Sequence, residues 1–122
     1  MSWIIAIASP QGEADTHAPA PDRIVADAPA FRTVNGYAKE SVSAGVWSSS
    51  PVARRVAYDE REFCCVGEGV CEQTAKGDQT RRFATGDAFV IEPGFRGTFR
   101  VVQAMLKTSV ILSPETAAKA LR

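Results

Sequence analysis

Between Gly86 and Phe99 the chain reads GDAFVIEPGFRGTF, and the punctuation is that of a sheet. Gly86 and Asp87 are turn residues, and Ala88 to Ile91 form an apolar run too short for a helix. Pro93 and Gly94 make a second turn before Thr98 and Phe99 resume an extended pattern. The same texture runs outward in both directions. Short stretches rich in β-branched and aromatic residues end repeatedly at Gly, Pro, Asn and Ser.

This pattern predicts strands near Phe31 to Val34, Val42 to Ser48, Arg54 to Tyr58, Glu62 to Val66, Gly69 to Thr74, Gln79 to Phe83, Ala88 to Ile91, Thr98 to Val102 and Leu106 to Leu112. Turns are expected at GEG (Gly67 to Gly69), KGD (Lys76 to Asp78) and TGD (Thr85 to Asp87), whose residues tolerate positive φ. Many short strands with no helical period between them argue for an antiparallel sandwich or closed barrel. One helix is expected, over 114–122. Ser113 caps it, Pro114 takes the first helical position and Glu115 faces the positive end of the dipole.

Ahead of the strands, residues 1–30 read as an arm. Ser9 to Ala30 is rich in Pro, Ala, Asp and Gly, which favours irregular or extended backbone. Its leading WIIAIA is too apolar to stand in water, so it either adds a strand to the barrel or packs on a neighbouring subunit, and a homodimer is expected. The domain layout is thus an arm (1–30), a barrel (31–113) and a short terminal helix (114–122).

The chain has 122 residues, enough for one domain with a real core. Fourteen basic residues balance fourteen acidic ones, so no net field favours nucleic acid or a membrane surface. Trp3 to Ala8 is shorter than a membrane span and lacks the flanking cations of a secretory signal, which points to the cytoplasm. Cys64, Cys65 and Cys71 are odd in number and lack CxxC spacing, so reduced and mostly buried thiols are expected.

With this grammar in place, the segment from Gly45 to Leu112 resembles the cupin superfamily, small double-stranded β-helix or jelly-roll barrels. It looks like the single-domain group named after the (S)-ureidoglycine aminohydrolase cupin domain. The resemblance rests on VWSSSP around Trp47, EFCCVGEG from Glu62, TGDAFVIEPGFRGTF, and LKTSVIL from Leu106. Glu62 and Gly69 match the glutamate and glycine of the first cupin signature. Its paired histidines fall on Arg55 and Ala57, or on Val56 and Tyr58 under a shorter spacing. Gly86 and Gly94 match glycines of the second signature, and its histidine position falls on Gly97.

Three of the four metal ligands that the resemblance implies are therefore absent. Catalytic zinc takes about three protein ligands, and non-haem iron a facial set of two histidines and a carboxylate. Glu62 alone supplies neither, and the only histidine, His17, lies in the arm. No metal and no cofactor is expected, although a site rebuilt from Glu62, Cys64 and Tyr58 is an alternative.

If Glu62 faces the interior as in the family, alternation sends Cys64 and Val66 inward and Phe63 and Cys65 outward. An interior carboxylate either acts as acid or base with a raised pKa, or pairs with Arg54, Arg55 or Tyr58 as a structural charge. Trp47 offers a flat wall or a barrel plug, and Tyr58 a hydroxyl or packing surface. Lys107 shares a face with Met105 and Ser109, the less apolar side of its strand, where a lysine is usually solvated; similar proteins often carry lysine there, which keeps it a candidate.

Trp47, Tyr58, Glu62, Cys64 and Lys107 are the candidate ligand-binding residues, and Glu62 is the candidate catalytic group. The leading reading is metal-independent binding of a small polar metabolite around Glu62. The alternatives are a small isomerase- or lyase-like acid–base enzyme, a metal-dependent aminohydrolase, and a dimerising module whose barrel is filled by side chains.

Overall fold

The computed structural model describes residues 3–7, 14–17, 24–26 and 31–113. Among these residues nine strands follow in chain order: β1 (Ala14–His17), β2 (Ile24–Ala26), β3 (Phe31–Lys39), β4 (Val42–Ser49), β5 (Val52–Ala57), β6 (Arg61–Ala75), β7 (Thr80–Ala84), β8 (Ala88–Ile91) and β9 (Arg96–Leu112). Their pairings are all antiparallel. No helix occurs among the described residues, and the helix expected over 114–122 lies outside them.

β6 and β9 pair along nearly their whole length, from Arg61↔Leu112 to Ala75↔Gly97, and bend together. Each half belongs to a different sheet. The C-terminal half of β9 pairs with β4, and the N-terminal half of β6 with β8, extending through β3 to β1. The other halves pair with β5 and β7, and β2 completes that second sheet. The two sheets close over one core of Phe31, Val52, Val56, Val66, Cys71, Phe99, Val101 and Met105. The architecture is an all-β jelly-roll barrel.

The bend corrects two expectations. GEG at Gly67 to Gly69 is not a hairpin turn but lies inside β6, where the register shifts three times between Val66 and Cys71. Gly69 has φ +92°, and a Cβ there would overlap the Ala104 carbonyl oxygen. Glycine is needed for a bulge that turns two strands from one sheet into the next. Likewise, the stretches at Thr98 to Val102 and Leu106 to Leu112 are one bent strand. The KGD and TGD turns are present, with Gly77 at φ +78° and Gly86 at φ +93°.

The arm contributes two of the strands, β1 beside β3 and β2 beside β5. Further upstream, Trp3 and Ile4 stand 91% and 88% exposed.

Candidate functional site

Alternation along β6 turns Glu62, Cys64 and Val66 into the barrel, while Phe63 and Cys65 are exposed. On β9 the inward row is Met105, Lys107 and Ser109. This overturns the solvated reading of Lys107, which is 4% exposed. A row containing Lys and Ser looks polar in sequence, yet it faces the interior because partners for both wait on β6.

In the β6–β9 ladder Cys64 opposes Ser109, Glu62 opposes Ile111 and Val66 opposes Lys107. The long side chains of Glu62 and Lys107 lean toward each other over the Cys64–Ser109 pair. Lys107 Nζ donates to Glu62 Oε2 at 3.0 Å. Cys64 Sγ donates to the same oxygen at 3.2 Å and lies 3.7 Å from both Ser109 Oγ and Lys107 Nζ. Glu62 therefore pairs with Lys107, not with Arg54, Arg55 or Tyr58. On the other side of β9, Trp47 is the register partner of Lys107, and Nζ sits 4.9 Å from its ring centroid and 5.4 Å from that of Phe99.

The protonation states follow from this geometry. Burial pushes the Glu62 carboxyl upward, but the Lys107 field and hydrogen bond, with those from Cys64 and Ser109, outweigh it and hold the group below its ordinary value. Burial pulls Lys107 down, and the charge of Glu62 more than restores it, so its pKa is raised. Burial drives the Cys64 thiol up to about 12 despite the nearby ammonium, so it is a donor and not a thiolate. Tyr58 is also raised, chiefly by burial.

These groups border a cavity of about 190 Å³ whose wall includes Trp47, Arg54, Tyr58, Glu62, Lys107 and Ser109. Cys64 stands behind Glu62, out of that wall. The space is worth about six water molecules at about 30 Å³ each, room for a small metabolite. Arg54 is a wall residue outside the candidate ligand-binding set of Trp47, Tyr58, Glu62, Cys64 and Lys107. It occupies the inward row of β5 with Val52, Val56 and Tyr58, a period-2 signal already present in the sequence. Its guanidinium carbon lies 4.9 Å from the Phe31 ring centroid, 5.4 Å from that of Phe99 and 5.9 Å from that of Trp47.

Residues 37–108, more than half of the chain, match the EutQ-like cupin domain family. The chain belongs to that family. Among solved structures, a Pseudomonas syringae pv. tomato protein of unknown function is 18% identical with a TM-score of 0.75, covering 83% of this chain and 45% of its own. A Salmonella typhimurium protein described as ethanolamine utilization protein Q (EutQ) is 16% identical, TM-score 0.61, over 67% of this chain and 68% of that one. The Clostridium difficile EutQ protein is 14% identical, TM-score 0.63, over 70% and 69%. This EutQ-like cupin thus spans less than half of the Pseudomonas protein and about two thirds of the two EutQ chains. Likeness at these identities speaks to the fold. No curated protein matches the sequence.

The metal that cupins commonly hold does not fit the residues of this EutQ-like cupin. Of the two alternative settings for the paired histidines, Val56 and Tyr58 face inward, whereas Arg55 and Ala57 are exposed. Gly97, at the last ligand position, has Val56 and Ala75 as register partners, and a Cβ there would overlap the Thr74 carbonyl oxygen. Among the described residues no three His, Cys, Asp or Glu side chains converge as a metal site. Glu62, the one matching ligand, already holds a cation, the Lys107 ammonium. Elsewhere, Glu92 turns to solvent, paired with Arg61 at 3.0 Å.

Proposed function

We propose that this EutQ-like cupin binds a small polar metabolite in the barrel cavity, without a metal ion, around the Glu62–Lys107 pair. The observation that carries the reading is the cavity itself: open volume remains between the sheets, and its wall combines a carboxylate, an ammonium and an indole face. A barrel plugged by its own side chains would leave no such space, which counts against the filled-module reading.

The acid–base alternative draws less support. Glu62 is held below and Lys107 and Tyr58 above their ordinary values, and Cys64 is driven to about 12. Each is displaced away from neutrality, where a general acid or base works best. Hydrolysis like that of the ureidoglycine aminohydrolase group would need the metal that the donor set does not fit.

The same reading takes the working form as a homodimer in the cytoplasm, a compartment that keeps free thiols reduced. Phe63 on β6 faces Val90 on β8 across the sheet, and both side chains are exposed, at 45% and 51%. A second copy would bury this exposed apolar pair.

A thermal-shift screen of small polar metabolites against metal-free protein tests the binding claim. Compounds that raise Tm in the wild type should lose that effect in the Glu62→Gln/Lys107→Met double variant, which leaves the net charge of the cavity wall unchanged. Hits that survive the double change would remove the pair from the site.

A further inference from the structure

Resting on that reading of the cavity, we infer that its ligand is a small carboxylate, received by Arg54. Three charged side chains line the space: Glu62, Lys107 and Arg54. Glu62 and Lys107 neutralise each other at 3.0 Å. Arg54 is left over. It forms no ion pair among the described residues, and its Nε–H is sealed from solvent with no hydrogen-bond partner. A buried donor without an acceptor is costly, and a guanidinium fork is shaped for a carboxylate.

The rings around Arg54 sharpen this. Phe31, Trp47 and Phe99 approach its guanidinium as π faces, which steady a cation but accept no strong in-plane hydrogen bond. The Nε–H finds no acceptor in the free protein, and Arg54 is part of the wall that a ligand would touch. Asn35, Ser43 and Ser109, also in the wall, supply neutral donors and acceptors for a hydroxyl or carbonyl elsewhere on the molecule. The ligand class is thus a compact monocarboxylate with one further polar group or a small ring, within about six water volumes.

Two carboxylates and their uncharged amides serve as probes: lactate with lactamide, and benzoate with benzamide. Binding is followed by ¹H–¹⁵N NMR at the Trp47 indole and Arg54 Nε–H signals. At least one carboxylate should shift both signals and bind about tenfold or more tighter than its amide, the scale expected for a charge-assisted hydrogen bond. Arg54→Met should abolish that preference, and Arg54→Lys should restore part of it. If the amides shift the Trp47 indole as strongly as the carboxylates, the cavity binds polar molecules but the assignment of Arg54 is wrong. If no probe moves the Trp47 signal, both this inference and the broader reading fall. The comparison of carboxylate with amide is made on wild-type protein, so it stands even if Arg54→Met does not fold.

Discussion

Lys107 on β9 and Glu62 on β6 meet over the Cys64–Ser109 step of the ladder, Nζ to Oε2 3.0 Å, with side-chain exposures of 5% and 10%. The pair is neutral as a unit and ties together the two longest strands among the described residues. It fixes the protonation of both partners and leaves Arg54 with no ion pair among the described residues.

Breaking the pair from one side should be far worse than removing it. Glu62→Gln strands a buried ammonium and should destabilise the protein by about 3–5 kcal/mol, and Lys107→Met strands a carboxylate at similar cost. The double variant should lose much less than the sum. Urea unfolding of the four proteins gives the coupling energy directly. Additive losses would mean that the two groups do not interact as described.

The pH dependence has a sign at each end. Glu62 is lowered from 4.5, so its stabilisation is complete above that value and is lost as pH falls through the folded pKa. Lys107 is raised from 10.5, so its contribution is complete below that value and is lost as pH rises through the folded pKa. Cys64, raised from 9.0 to about 12, adds to the alkaline loss from pH 9 upward. The wild-type Tm should therefore hold a plateau between about pH 5 and 9 and fall on both sides. In the Glu62→Gln/Lys107→Met variant the acid limb should be shallower. An identical acid limb would show that Glu62 does not carry it.

Gly97 should not accept the missing ligand. Gly97→His would restore the side chain at the second signature's metal position, but the Thr74 carbonyl occupies the space its Cβ requires. The variant should lose at least about 2 kcal/mol of stability, the scale of a core overpacking defect, and gain no zinc affinity by calorimetry. A stable, zinc-binding Gly97→His protein would refute the packing explanation. Gly69→Ala, at φ +92° against Ala104, should also destabilise.

The proposed dimer gives a mass prediction. Light scattering should return twice the 13.1 kDa of one chain, and Phe63→Arg, which charges the apolar face without touching the core, should return one chain's mass. A wild-type monomer at all concentrations would overturn the dimer.

The barrel was largely legible in the sequence because period-2 alternation and turn residues are local signals. Ala88–Ile91 sits where its pattern puts it, and the Glu62–Cys64–Val66 row faces inward as alternation requires. The bends in β6 and β9 were hidden for the opposite reason. A glycine-rich GEG has the composition of a hairpin turn, and only a neighbouring strand pressing on Gly69 makes it a bulge. Lys107 was hard to place because a lysine's burial depends on a carboxylate 45 residues away in sequence. Arg54 was legible in principle, in register with Val52 and Val56, but an arginine in a strand is ordinarily an exposed charge.

The most direct test is a high-resolution crystal structure of protein prepared without chelator and without added metal. The account predicts an intact Glu62–Lys107 bond and density for a small organic molecule against Trp47, Tyr58 and that pair, with no metal ion. A metal ion ligated by Glu62, with Lys107 displaced, would contradict it, and so would an interior closed by side chains.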